Sequence, residues 1–152
     1  MDIHHANMIH NVSPKKVYEA LTRSADLEKW WGVPTTARAE VGSTFEFQFP
    51  GQQRGLKFEI LRLEPGKLVQ WRVVQPVWPM EPGNEQVATW TLEPFETSTL
   101  VDLRVEGWPQ DDGVYASVSY KFATYMFKLK VVLGDTREIE PILPFVDKMK
   151  EG

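Results

Sequence analysis

The sequence predicts an α+β fold: a curved antiparallel β-sheet wrapped around one long C-terminal α-helix, with two short helices after the first strand. Two observations carry this. Between Thr35 and Glu106 apolar residues recur at every second position, in short runs separated by turn residues, as half-buried strands require. Between Asp111 and Leu133 they recur at alternating steps of three and four, which puts them on one face of a helix. A sheet that is apolar on one face needs a cover, and this helix is the natural filler of its concave side. At 152 residues the chain suits one domain, expected over residues 1–134. Residues 135–152 are expected to form an extension packed on that domain or on a partner subunit.

The first segment, Ile3 to Val12, alternates Met8, His10 and Val12 against Ile9 and Asn11 and reads as a strand. Ser13 and Pro14 then serve as a helix N-cap and a proline at the first helical position. Val17, Ala20 and Leu21 form the stripe of that short helix. Ser24 opens a second one, whose apolar members are Leu27, Trp30 and Trp31 and which ends at Gly32 and Pro34. Helices this short are unstable alone and must dock on something larger. Residues 36–41 are weakly patterned.

Phe45, Phe47 and Phe49 alternate with Glu46 and Gln48, the clearest half-buried strand in the chain. A polar hairpin loop, Pro50 to Gly55, leads to Phe58 and Ile60. A turn at Glu64-Pro65-Gly66-Lys67 leads to Val69, Trp71 and Val73. Pro76 to Gly83 carries three prolines and reads as an irregular loop with Trp78 and Met80 in it, suited to a lid. Ala88, Trp90 and Leu92 mark the next strand, and Val101, Leu103 and Val105 the last. Asp111 and Asp112 suit a helix start, and Tyr115, Val118, Phe122, Tyr125, Leu129 and Val132 share one face. Ser117, Lys121, Thr124, Lys128 and Lys130 mostly fall off that stripe, and Gly134 supplies a stop. Ile142, Phe145 and Met149 make the tail apolar enough to need packing.

The formal charge is −4 and no basic stripe is present, which argues against nucleic acid as a partner. The absence of cysteine excludes disulfides, thiolate nucleophiles and iron–sulfur clusters. The N-terminus lacks the basic and apolar regions of a signal peptide, and no apolar run reaches the length of a membrane span. A cytoplasmic location away from membranes is expected. The three histidines lie near the terminus without a carboxylate cluster at ligand spacing, so no metal site is expected. There is no nucleophile elbow, phosphate loop or dinucleotide fingerprint, and no cofactor is called for.

The order of elements resembles the helix-grip fold of the START-like, or SRPBCC, superfamily, which includes the birch-pollen-allergen-like ligand binders. More closely, the chain resembles the family named for the activator of heat-shock protein 90 ATPase. The residues that carry this are Ser13-Pro14-Lys15-Lys16-Val17-Tyr18-Glu19-Ala20-Leu21-Thr22, Leu27-Glu28-Lys29-Trp30-Trp31 and Val41-Gly42-Ser43-Thr44-Phe45. Leu68-Val69-Gln70-Trp71, Thr89-Trp90-Thr91-Leu92-Glu93-Pro94 and Ser98-Thr99-Leu100-Val101-Asp102-Leu103 fit later strands. The eukaryotic activator has a further N-terminal domain with no counterpart here, and Tyr125 stands where relatives often have Trp.

The resemblance implies a hydrophobic cavity between helix and sheet, walled by Trp31, Phe45, Phe47, Phe58, Trp71, Trp90, Leu103, Tyr115, Val118, Phe122 and Tyr125. The same alternation serves a filled core equally well. His10 shares strand parity with Met8 and Val12 and is expected to face inward, as a ligand contact or proton carrier. His4 and His5, at the terminus, are expected to be solvated. Tyr115 and Tyr125 offer hydroxyls on the inner face of the helix, while Tyr120 falls off it.

Three functions follow. The first is binding of a small hydrophobic or aromatic molecule in the cavity. The second is a cyclase-, dehydratase- or hydrolase-type enzyme using the same cavity, for which His10, Tyr115 and Tyr125 are the candidate acid–base groups. The third is an interaction module, co-chaperone-like or a homodimer assembled through the tail.

Overall fold

The computed structural model describes residues 1–32, 35–80 and 83–136. Among them lie seven strands and three helices. Strand β1 (Ile3–Ile9) is followed by α1 (Pro14–Thr22) and α2 (Ser24–Trp31). Then come β2 (Thr35–Thr36), β3 (Thr44–Phe47), β4 (Leu56–Glu64), β5 (Leu68–Gln75), β6 (Val87–Phe95), β7 (Ser98–Glu106) and α3 (Gly113–Val132). All pairings are antiparallel, in the order β1-β7-β6-β5-β4-β3-β2. The fold is the α+β arrangement expected from the sequence, a sheet with a long helix across it and two short helices after the first strand.

Local chemistry sets the element ends. The Ser13 hydroxyl accepts from the Lys16 amide and Pro14 opens α1. Gly32, at φ 80°, takes the left-handed conformation that ends α2. Of the two aspartates at the start of α3, Asp112 is the cap and accepts from the Tyr115 amide at 3.0 Å. The β4–β5 register shifts between Lys57 and Phe58 and between Ile60 and Arg62. Such irregularities bend a strand and strengthen its twist, and these curl the sheet around its inner face.

The inner face is covered by three helices. α1 lies against β5 to β7, α2 packs on α3, and α3 crosses beside β1. Trp30 of α2 reaches the sheet, edge-on to Trp90 at 5.9 Å, while its indole N–H donates to the Ala20 carbonyl at 2.8 Å. No helix among the described residues is long and apolar enough to cross a membrane.

Three expectations are corrected. On α3 the buried residues are Val118, Phe122, Met126, Leu129 and Lys130, whereas Val132 is exposed. The buried row runs in steps of four before its last step of three, so Met126 takes the place assigned to Val132. Lys130, expected off the stripe, is only 2 % exposed and lies 3.6 Å from the buried Asp135.

The third correction concerns β1. Its inward residues pair with the core positions of β7: Ile3 with Val105, His5 with Leu103, Asn7 with Val101. Met8 pairs with Leu100 on the other face. Asn11, at φ 58°, then turns the chain before Val12 rejoins the core. His10 therefore sits at a turn, and His5 is the histidine that meets the helix. The tail residues Ile142, Phe145 and Met149 lie outside the described residues.

Candidate functional site

Trp31 divides the helix–sheet seam into a packed part and a hollow part. α2 delivers it beside Trp30, and its ring lies between Phe47 at 4.2 Å and Tyr125 at 4.1 Å. On the sheet side of Trp31 the rings are in mutual contact. Phe45 stacks on Phe58 at 5.4 Å and meets Trp71 at 5.1 Å, and Trp71 meets Trp90 at 5.5 Å. Each of these is at most 1 % exposed, as is Leu103. Six of the expected cavity-wall residues, Phe45, Phe47, Phe58, Trp71, Trp90 and Leu103, thus form a filled core. The physical reason is α2: its two tryptophans occupy the space that a sheet covered by α3 alone would leave open.

The hollow lies on the other side of Trp31. Its volume is about 270 Å³. Val118, Phe122 and Tyr125 of α3 form one wall with Trp31; Phe49, Pro50 and Gln52 of the β3–β4 connection, with Leu56 at the start of β4, form another; Val77 and Trp78 of the proline-rich loop close a third side. An apolar cavity of about 150 Å³ takes a benzene, so this one has room for a fused two-ring body. Lys121 stands at its rim, on the same helix face as Val118 and Tyr125. Burial pushes the Tyr125 phenol above its ordinary value, and Lys128 Nζ lies 4.9 Å over the ring.

The structure brings Trp31, Val118, Phe122 and Tyr125 together at the hollow and leaves the other expected site residues elsewhere. Tyr115 donates its hydroxyl to the Asp2 carbonyl at 2.7 Å and meets Trp108 edge-on. His10 Nδ1 and its backbone amide both contact Asp135 Oδ2 at 2.9 Å, which ties the end of β1 to the chain just past α3. His5, expected to be solvated, is half-buried with Nε2 3.1 Å from the Ser119 carbonyl and hydroxyl. His4 is exposed beside Asp102 at 2.7 Å.

Sequence reading missed Phe49, Leu56, Lys121 and Val77 as cavity residues. Phe49 continues the Phe45–Phe47 alternation, and Lys121 lies three residues from Val118 and four from Tyr125. Those spacings were the available signals. Val77 and the loop residues Pro50 and Gln52 had none.

A second hollow of about 370 Å³ is bordered by Met80, Gln86, Trp108 and Asp112. Trp78 and Trp108 face each other at 5.9 Å, one ring in each lining. Despite its size, this second hollow is the more polar of the two. Ligand sites are typically apolar with a few convergent polar groups, and the hollow beside Trp31 has that character.

An antiparallel sheet curled about a long helix, with a small apolar hollow at one end of the seam, defines a helix-grip domain of the SRPBCC type. Residues 11–134 match the model of the family described as Activator of Hsp90 ATPase homolog 1-like protein, and the chain belongs to that family. It is similar to the Aha1 of Colwellia psychrerythraea, whose solution structure is a dimer. The identity is 29%, over 90% of this chain and 99% of that one, with a TM-score of 0.78. A Mesorhizobium loti protein shares 23% identity over 90% of this chain and 99% of its own, with a TM-score of 0.76. An HSP90 activator from Plasmodium falciparum shares 17% over 88% and 96%, with a TM-score of 0.73. The last two likenesses are likenesses of fold. No curated protein matches the chain.

Proposed function

We propose that this chain binds a small hydrophobic or aromatic molecule in the hollow beside Trp31, between α3 and the sheet. The observation that carries the reading is a hollow of about 270 Å³ lined mainly by Trp, Phe, Tyr, Val and Leu side chains. Binding is favoured over catalysis. Of the three candidate acid–base groups, His10 holds Asp135, Tyr115 holds a backbone carbonyl, and only Tyr125 borders the hollow. A phenol with a raised pKa is a hydrogen-bond donor and a poor base near neutrality. The proposed setting is the cytoplasm, which suits a chain without cysteine. Residues 1–134 are proposed to act as one domain with residues 135–152 as its extension.

The test is titration with prodan, a neutral two-ring fluorophore whose emission shifts to the blue in apolar surroundings. Saturable binding is expected with Kd on the order of 0.1 mM or tighter, from the ligand efficiency of drug-sized molecules. Val118→Trp builds an indole into the hollow and is expected to weaken binding at least tenfold. Absence of saturable binding by the wild type sinks the reading.

A second reading rests on a separate observation. Tyr120, Phe127 and Val131 form a row on the outer side of α3 and are 71%, 41% and 37% exposed. The related Colwellia Aha1 is a dimer. We propose that this row seats a second copy of the chain, in place of the tail contact expected from sequence. Light scattering is then expected to give twice the chain mass at micromolar concentration, and Tyr120→Lys with Phe127→Glu to give a folded monomer. A wild type that is monomeric throughout the range overturns the proposal.

A further inference from the structure

The hollow beside Trp31 has walls of two kinds. Trp31, Leu56, Val118 and Phe122 are each at most 8 % exposed and belong to the buried core. Displacing any of them unpacks that core. Trp78 is different: it is half-buried, stands on the proline-rich loop and only packs against the core's edge. Its ring neighbour is Trp108, at 5.9 Å and tilted by 35°. Its indole N–H has no hydrogen-bond partner among the described residues, so replacing the ring breaks no such bond.

The second hollow lies beyond this wall. Trp108 borders it, and so do Pro79 and Met80, which directly follow Val77 and Trp78 in the chain. On α3, Val114 borders the second hollow and Val118 the first. These two valines are four residues apart on one face of the helix, a rise of about 6 Å. The hollows are thus about one helical turn apart, with the Trp78–Trp108 pair between them. Trp108 is the fixed half of that pair. It is 5 % exposed, meets Tyr115 edge-on, and its carbonyl accepts from the N-terminal ammonium at 3.2 Å. Trp78 is the half that can be removed without dismantling the core.

Resting on the reading of the hollow as a binding site, we infer that Trp78 is its specificity-determining residue. The indole stops the hollow at the length of two fused rings, and the ligand is a compact body rather than an elongated one. A third ring added toward the second hollow meets the Trp78 indole, and one added toward Trp31 or Phe122 meets the core. Without the indole, the hollow extends as far as Trp108, and a third ring has a buried place against that side chain. Burying a further ring adds about tenfold in affinity, from the apolar area taken out of water.

The experiment is displacement of prodan by two ketones that differ by one ring in line, 2-acetylnaphthalene and 2-acetylanthracene. The wild type is expected to bind the two-ring ketone at least fivefold tighter. Trp78→Ala is expected to reverse that preference, and Trp78→Leu, which keeps an apolar side chain on the loop, to fall between. Phe49→Ala removes a half-buried lining ring on another wall, away from the second hollow, and is expected to weaken both ketones alike. In Trp78→Ala the three-ring ketone is expected to shift the Trp108 indole ¹H–¹⁵N signal, assigned by Trp108→Phe. In the wild type the two-ring ketone is expected to leave that signal in place. The inference is overturned, and the binding site left standing, by a wild type that binds both ketones equally. A Trp78→Ala preference within twofold of the wild-type one overturns it too, as does a reversal that Phe49→Ala also produces. If neither prodan nor either ketone binds the wild type, the site reading falls and the inference with it.

Discussion

Trp71→Ala is expected to lower the stability of the folded protein by about 3–5 kcal/mol, the usual cost of emptying a large aromatic site in a core. Trp71 is fully buried and is held by Phe45 and Phe58 at 5.1 Å each and by Trp90 at 5.5 Å. These partners belong to strands β3, β4 and β6, so no single side-chain shift can refill the space. Against a total stability of about 5–15 kcal/mol, the loss moves the midpoint of urea unfolding by a large fraction of its wild-type value. Trp71→Phe keeps most of the ring contact and is expected to cost less than half as much. A loss below about 1.5 kcal/mol for Trp71→Ala would mean that the centre of the sheet is not filled, and that the hollow beside Trp31 reaches further inward.

Asp135→Ala is expected to cost a similar amount, about 3–5 kcal/mol, by a different route. The Asp135 carboxylate is 2 % exposed, receives the His10 backbone amide and contacts the His10 ring at 2.9 Å. It also lies 3.6 Å from Lys130 Nζ, itself 2 % exposed. Removing it takes one buried acceptor away from the Lys130 ammonium and from the His10 amide. Asp135→Asn retains an acceptor for the amide while losing the charge, and is expected to fall between. The control is Arg62→Ala: the Arg62–Glu64 pair is 59%/47% exposed, and its loss is expected to stay within about 1 kcal/mol. Guanidinium denaturation of the three variants decides the matter. An Asp135→Ala protein within about 0.5 kcal/mol of wild type would show that the contact between β1 and the end of α3 adds nothing to stability.

The architecture was legible because periodicity is a backbone property. Phe45 and Phe47, Val69 and Trp71, and Ala88 and Trp90 face inward as their alternation requires, and Asp112 caps the helix whose stripe it precedes. The errors arose where a phase marker stood beyond a turn. Val12 was used to phase β1, yet Asn11 resets the chain before it, so the histidine assigned to the inside was His10 when it is His5 that meets Ser119. Parity survives along a strand and not around a left-handed residue.

The site was less legible for a related reason. Alternation tells which side chains point inward, and not whether the space they point into is already taken. Here Trp30 and Trp31 take it, and those residues belong to α2, whose place against α3 no local pattern encodes. The hollow that remains is bounded partly by Gln52 and Val77, which lie in connections without periodicity. Lys121 shows the limit in the other direction: read as off the apolar stripe, it lies three residues from Val118 and four from Tyr125 and borders the hollow. A long side chain at a rim can lay its stem against apolar surface while its ammonium stays in water.

The sheet order has a consequence for how the chain is made. Five of the six pairings join strands that are neighbours in sequence, whereas β1 pairs only with β7, Ile3 opposite Val105. Closing a loop of that length costs roughly 3 kcal/mol more in chain entropy than closing a four-residue hairpin. On the ribosome the first strand to emerge is therefore the last to find a partner. Until residues 98–106 have left the exit tunnel, Ile3, Met8 and Ile9 have no strand to lie beside. Of the strands in this sheet, the one made earliest is thus left longest with its backbone groups unpaired.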